Sequence, residues 1–499
     1  MKCAFTLRIC LIFFTVALVG AVATPSFAQF SKLMKKFEKA NQEAREVRKT
    51  TNDATNTAKE AKKTADEISG KTTKTGTQPT TDSPANDLPI SGKDYYISPN
   101  GNGKEATKTQ PAKELAVVIP QLQAGDRIHI AAGTYLGATE RGSDIMEVPV
   151  SIIGGYSPDF STRDPWGKYR TVLTGNNAYM KESTERIGIL TDKKFKDWTG
   201  EIILDGLVID NGPRNRYQAK KSMYILRKAS EQDGENPSPE SPGIKIRVGA
   251  NTKVVVKNCV ITNTAPTQGA LDLQLGKNGT ALIENNAIVN NTGEGIMCKS
   301  LHQGSDGLPQ FTIRNNTILF CWKHDEIASY GGNCIKMDGN TIVTADNNVL
   351  GFGDFGGVDN IKQCKNLSVS NNLFVGHKKY DYREYNTMMK LDEMDDYGQY
   401  LKSSDGNATA MIKVPVNKSW AELYMARKDV NRGEIEANVK VSNSGWNQVR
   451  SIFGLPLQGS SQGAAAEVWL HWLPLDDAIR AGSQPYAGKG SSKPQGNAL

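Results

Sequence analysis

An asparagine followed by a largely apolar triplet recurs through the middle of the chain, and this repeat restricts the possible folds more than any other feature. It stands at Asn258 (Cys-Val-Ile), Asn286 (Ala-Ile-Val), Asn316 (Thr-Ile-Leu), Asn348 (Val-Leu-Gly) and Asn372 (Leu-Phe-Val), and the last four are second members of Asn-Asn pairs. Two positions after each lie Val260, Ile288, Ile318, Leu350 and Phe374; three before lie Val255, Ile283, Ile313, Ala345 and Val369. In a flat strand, residues five apart point to opposite faces. Both columns are apolar, so a turn at the asparagine must reset the parity, and Asn tolerates the left-handed backbone such a turn needs. Stacked Asn side chains can also hydrogen-bond from coil to coil. A single repeat cannot bury its apolar face, but stacked repeats share one core. The leucine spacing of a leucine-rich repeat is absent. The pattern predicts an all-β chain built on a right-handed parallel β-helix over residues 94–378.

The ends of this solenoid are legible too. Tyr95 to Gly101 reads as a strand and turn, and Leu115, Val118, Ile119 and Leu122 mark one face of a short helix over 113–122. Laid across the first coil, that helix would cover the open sheet edges. Past His377 the repeat stops. Ser419 to Glu422 forms a capping box for a helix to about Asn431, and Glu467–Trp472 and Leu475–Gly482 suggest a last strand and helix. Residues 379–499 are predicted to be an extension that closes the C-terminal end.

Before the solenoid, Lys2, Arg8, the apolar run from Ile9 to Val22 and Ser26-Phe27-Ala28 have the form of a signal peptide over 1–28. The chain is therefore expected to be secreted, periplasmic or on the cell surface. Residues 29–70 carry a heptad from Leu33 to Ile68 whose seam is mostly alanine, which buries little area and predicts at most weak self-association through 33–68. Residues 71–93 read as a flexible linker. No later segment is apolar enough to span a membrane. Losing Lys2 and Arg8 takes the formal charge from +7 to +5, which permits an anionic partner without demanding nucleic acid. Cys3 and Cys10 leave with the signal. The five that remain, all within the repeat and without a CxxC pair, read as buried free thiols.

Each coil has a further strand between its asparagine turns: Gly269–Leu275, Gly295–Leu301, Asn333–Asp338 and Asp359–Cys364. Alternation puts Leu271, Leu273, Ile296, Cys298, Ile335, Met337 and Ile361 inside, and Asp272, Gln274, Lys299, Lys336, Asp338 and Lys362 outside. Successive coils lie about 4.8 Å apart, so the outward residues form a column of Lys and Asp. In such a column Lys299, Lys336 and Lys362 would lower one another's pKa, as a lysine base requires. The same alternation also serves as a solvated ion ladder. His302, His324 and Asp325 lie in loops that could flank the column as acid or base. Residues 211–243, with Arg214, Arg216, Tyr217, Lys220, Lys221 and Arg227, lengthen one coil; such insertions often wall a groove, and this one would suit an anionic glycan. No P-loop, GxGxxG, HExxH or GxSxG motif occurs.

Tyr95 to Asn100, Ala124 to Tyr135, the Asn-Asn repeats, Ile153-Gly-Gly-Tyr156, Arg163-Asp164-Pro165 and Thr171 to Gly175 resemble the pectin-lyase-like β-helix superfamily, especially its bacterial extracellular members. The superfamily holds lyases, hydrolases, epimerases and adhesins. Its polysaccharide lyases place a Lys or Arg base and acidic calcium ligands on such an outer face. The resemblance thus implies β-elimination of a uronate polymer, with Lys336 or Lys299 as base and His324 nearby. Asp338 and Asp272 would be calcium ligands, and Lys362, Gln274, Arg214 and Arg216 would contact an acidic polysaccharide. A non-catalytic adhesin, suggested by the stalk, and a glycoside hydrolase remain open.

Overall fold

The computed structural model describes residues 92–139, 141–176, 185–215, 217–218, 224–225, 241–265, 268–322, 331–377, 379–420 and 472–494. The signal peptide, the heptad segment, most of the linker, Arg216, His324 to Glu326, the predicted helix beyond residue 420 and the strand around 467–471 lie outside them.

Three parallel sheets wind around one core, as the repeat predicts. Among the described residues, the first sheet has ten strands, from Asp94–Ile97 and Arg127–Ala131 to Asn366–Ser370 and Leu401–Ser403. The second has nine, from Gly133–Tyr135 to Leu373–Val375 and Ala408–Thr409. The third also has nine, from Asp144–Met146 through Tyr380–Glu384, ending in the antiparallel Thr387–Met389. Parallel strands joined in this way are right-handed.

The asparagine corner joins the first sheet to the second, and its two residues divide the work. Asn258, Asn285, Asn315, Asn347 and Asn371 hold φ between 53° and 57°, the left-handed turn. The following residues form a buried ladder. Asn286 accepts from Cys259 N at 2.9 Å; the side chains of Asn286, Asn316, Asn348 and Asn372 each donate to the next Asn, ending on Asn407. Asn258 therefore belongs to the turn row, not to the row of Asn286, whose partner in that coil is Cys259. The pairs Val256 with Ile283 and Ile261 with Ile288 confirm the one-residue shift.

The coil pattern also runs past residue 378. Tyr380–Glu384, Leu401–Ser403 and Ala408–Thr409 each extend one sheet, and Asn407 continues the ladder. At the other end, Leu115–Val118 is α-helical and Ile119–Gln121 is a 3₁₀ turn. Pro120 lacks the N–H that would carry the helix further. Leu115, Val118 and Leu122 join the main core, as the predicted cap requires. The five cysteines are free and buried.

A second apolar cluster lies on the outer face of the second sheet. Val208, Val260, Val289, Leu319, Val349 and Val375 are covered there by Ile412, Val414, Trp420, Leu473, Ile479 and Tyr486. The chain then runs back along the flank: Gly490 N donates to Asn347 O, Ser491 N to Thr317 Oγ1, Ser492 N to Asn285 Oδ1, and Lys493 reaches Asp164. The described part of the extension thus does two things: its first residues add a last coil with Met389 and Met394 in the main core, and its later described residues cover a side of the solenoid.

Candidate functional site

The outer face of the third sheet carries two rows of polar side chains. Pairing places Lys245, Asp272, Met297, Lys336, Asp359 and Arg383 in one row. Arg247, Gln274 and Lys299 form the next. Leu271, Leu273, Ile296, Cys298, Ile335 and Met337 face the core as alternation requires.

Lys336 departs from expectation in its neighbours. Its Nζ donates to Glu294 Oε1 at 3.2 Å and lies 3.5 Å from Asp359 Oδ2; its side chain is 15% exposed. Lys299 and Lys362 do not stack on it. Burial alone would lower the lysine's pKa, but Glu294 and Asp359 outweigh it and hold the ammonium charged above its ordinary range. The expected depression of its pKa is therefore reversed.

Glu294 was not visible as a site residue in the sequence. Consecutive Cys334 and Ile335 both enter the core, so strict alternation breaks there. The residues just before this break, Asn333 and its neighbour Glu294, meet beside Lys336. Glu294 Oε2 accepts from Asn333 N at 3.1 Å and Nδ2 at 3.0 Å, and Oε1 from Gly331 N at 3.2 Å. Tyr380 donates to Asn333 Oδ1 at 2.7 Å. Burial pushes the Glu294 carboxyl up, and Lys336 opposes it. Arg383 Nε stands 3.9 Å from Asp359 Oδ1, extending the charge chain into the next coil.

Lys362 is misplaced by the sequence reading for a local reason. The strand is Gly356–Asn360, with Val358 in the core, so Asp359 faces outward beside Lys336. Ile361 and the exposed Lys362 fall in the turn that follows, where Ile361 N donates to Asp359 Oδ1 at 3.2 Å.

Lys299 lies in the second row. Its Nζ donates to Gln268 Oε1 at 2.7 Å and stands 3.6 Å from Asp272 Oδ1, and its side chain is 19% exposed. Gln274 donates to Asp272 Oδ2 at 2.8 Å. Burial pushes the carboxyls of Asp272 and Asp338 up, with Lys299 opposing in both. At the ends of these rows Lys245 pairs with Glu185 and Arg247 with Asp192, each at 2.8 Å.

Asp272 thus faces an ammonium, and the same charge opposes the rise of Asp338. Calcium takes six to eight oxygen ligands, and among the described residues no group of three His, Cys, Asp or Glu is placed to hold a metal. The donors as arranged do not fit a calcium shell. His302 turns to its own loop, with Nε2 2.7 Å from Asp306 O.

Arg214 is fully buried and does not wall a groove. It donates to Arg141 O, Asn211 Oδ1, Pro242 O and Ser143 Oγ, and burial, with Arg186 and Arg141 adding to it, lowers its pKa well below the ordinary range. Of the insertion, Gly212–Arg214 forms a 3₁₀ turn, and Tyr217–Gln218 pairs antiparallel with Tyr224–Ile225.

Among the described residues no helix is long and apolar enough to cross a membrane. The family model described as right handed beta helix region matches residues 233–374. No curated protein matches the chain. Among solved structures, the pectate lyase Pel9A is similar at 12% identity over 64% of this chain and 78% of that one, with a TM-score of 0.28. A rhamnogalacturonan lyase is similar at 13% identity over 65% of this chain and 64% of that one, with a TM-score of 0.21. With three parallel sheets, an asparagine ladder at the corner and a matching family model over residues 233–374, the described coils form a right-handed parallel β-helix.

Proposed function

We propose that this is a secreted carbohydrate-active protein that cleaves an acidic, uronate-containing polysaccharide by β-elimination on the outer face of the third sheet. The observation that carries this reading is Lys299, a partly exposed cation 3.6 Å from Asp272, on a face where burial raises the basicity of both Asp272 and Asp338 against the opposing charge of Lys299. β-Elimination removes the proton at C5, next to the uronate carboxylate. A cation must neutralise that carboxylate, and a base must take the proton. Lys299 supplies the positive charge in reach of solvent. Lys336, held charged between Glu294 and Asp359, adds a fixed cation and is a poor proton acceptor. Asp338, half-buried and more basic than an ordinary carboxylate, takes the C5 proton. The C4–O bond then breaks, a C4–C5 double bond forms, and water protonates the departing oxygen. No step is routed through calcium, although the assay below includes it.

Incubating the mature protein with a panel of uronate polymers, with and without Ca²⁺, and following the ultraviolet absorbance of unsaturated ends tests this. Asp338→Asn should lose product while retaining binding. Silence of the native protein across the panel would sink the reading; reducing ends without the ultraviolet signal would point to a hydrolase.

A second reading has its own support. The outward cations Lys245, Arg247, Lys299 and Lys336 are each already paired with a carboxylate. That arrangement suits a glycan-binding surface protein, which would bind the polymers and release nothing.

A further inference from the structure

A cluster of titratable side chains that the proposed chemistry leaves unused lies on the outer face of the first sheet, where its first three strands meet. Pairing sets Tyr96, His129 and Ile153 in one outward row. The His129 ring is buried and stacks on Tyr96 at 4.9 Å. Its Nε2 lies 2.9 Å from Asp94 Oδ1, and its Nδ1 lies 2.8 Å from the hydroxyl of Tyr156. Asp94 belongs to Asp94–Ile97, His129 to Arg127–Ala131 and Tyr156 to Ser151–Tyr156, so one imidazole ties three successive coils. An ionised carboxylate only accepts, so Nε2 carries the ring hydrogen and Nδ1 of the neutral ring accepts from Tyr156. Burial pushes the Tyr156 phenol up to about 12, which keeps its hydrogen in place. Arg127 engages both oxygens of Asp94, Nε to Oδ1 at 2.7 Å and Nη2 to Oδ2 at 2.9 Å. Arg163 lies over the Tyr156 ring, 5.3 Å from its centre, and pairs with Asp205 at 2.9 Å. Phe160 meets Tyr96 edge-on at 5.0 Å.

We propose that Asp94, His129 and Tyr156 form an acid-released latch, which holds the first strand on the solenoid while the imidazole is neutral and loosens it when the imidazole is protonated. The latch is independent of the lyase chemistry. A second ring proton goes on Nδ1, and Tyr156 must then accept where it had donated, turning its own hydrogen away within a buried cluster. The new charge gains little from Asp94, because Arg127 already occupies both of its oxygens. It also stands between two guanidiniums, Arg127 and Arg163, while Asp205 is held by Arg163 and Tyr96 and Phe160 offer only rings. Burial lowers the pKa of His129 and, with both arginines adding to it, outweighs Asp94. A group whose folded-state pKa is lowered stabilises fully above its ordinary value, here 6.5, and loses that contribution as pH falls from there toward the folded value. Burial alone would raise the Asp94 carboxyl, but Arg127 and His129 outweigh it and hold Asp94 below its ordinary 3.8, so Asp94 stays charged through that window. The first strand stands at the end of its sheet and pairs there with Arg127–Ala131, so it can open locally while later coils stay closed.

The test is amide hydrogen exchange of the full chain, read by mass spectrometry in steps from about pH 7.5 to about pH 3.5 around the histidine range and corrected for the intrinsic pH dependence of exchange. Protection of Asp94–Ile97 should fall in acid by about tenfold for each unit by which folding lowers the His129 pKa, while Asn366–Ser370 in the same sheet should keep its protection. His129→Gln retains an amide that can donate to Asp94 and accept from Tyr156 but cannot titrate. It should keep the protection seen at neutral pH and lose the acid step. No acid step at the first strand, an equal loss at Asn366–Ser370, or the same step in His129→Gln would overturn the proposal. If His129→Gln fails to accumulate, the native profile still decides. A step centred between 6.5 and 3.8, the ordinary histidine and aspartate values, supports the latch, and a step centred outside that window overturns it.

Discussion

Asn315 and Asn316 are neighbours in sequence and face different demands. Asn315 holds φ at 55°, and its side chain accepts from Asn347 Nδ2 at 2.7 Å in a partly exposed row. Asn316 is buried, accepts from the backbone and side chain of Asn286, and donates to Ile283 O, Arg314 O and Asn348 Oδ1. Glycine keeps the left-handed turn, so Asn315→Gly should cost no more than about 1 kcal/mol. Asn316→Ala orphans several buried groups at about 1–3 kcal/mol each, so its loss should be clearly larger. Denaturant unfolding of the two variants measures the contrast. Lys336 gives a second residue-scale prediction. Lys336→Met leaves Glu294 and Asp359 buried without their cation, a loss of about 3–5 kcal/mol. The two groups, Lys336 and Glu294, act with the same sign, each in its own pH window. In the native protein the folded-state pKa of Lys336 is raised, so its stabilisation is complete below the unfolded value and is lost as alkaline pH rises through the folded one. The variant should lack that alkaline loss. Glu294, also raised when folded, favours the folded state at low pH and loses that advantage as pH rises through its folded value. The variant should therefore recover stability on acidification.

At the scale of elements, the C-terminal helix Leu475–Gly482 shows how the second sheet tolerates an apolar outer face. Ala478, Ile479 and Ala481 are buried against that sheet, and a Cβ on Gly482 would come within 2.1 Å of the Ala287 Cβ. Gly482→Val should therefore lift the helix and lower the thermal midpoint. Deleting residues 473–494 should uncover the apolar strip, and light scattering should then detect self-association, which large exposed apolar patches promote. This docking was not legible in the sequence, because the outward valines of the second sheet read like any strand residues until something covers them. The repeat and its inward faces were legible because period-two alternation and the Asn corner are local signals. Register was less so. The Asn258 row slipped by one because a single Asn replaces the pair there. Lys362 was placed outward in a strand because Ile361, in a turn, looked like a core residue. Arg383 was missed because it lies beyond the supposed end of the repeat, and Glu294 because it sits where alternation breaks.

At the scale of the whole molecule, the solenoid offers one long face on which coil after coil presents charged side chains, and the chain carries a formal charge of +7. A polymer with a charge on each sugar can meet such a face over several coils, so binding should weaken as salt rises. If Lys299 is the solvent-accessible cation that meets the uronate carboxylate, Lys299→Ala should lower product formation at least about tenfold, since one charged hydrogen bond is worth roughly 1.5–3 kcal/mol. Its unfolding midpoint should change less than that of Lys336→Met, because Lys299 is removed from one close carboxylate and Lys336 from two. The most direct test follows unsaturated uronate ends released by the native protein and by Lys299→Ala under identical conditions on the same polymer. Steady release by the native protein and a large loss in a normally folded variant are expected. Native protein that binds the polymer but releases no unsaturated ends, or equal rates from the two proteins, would contradict it.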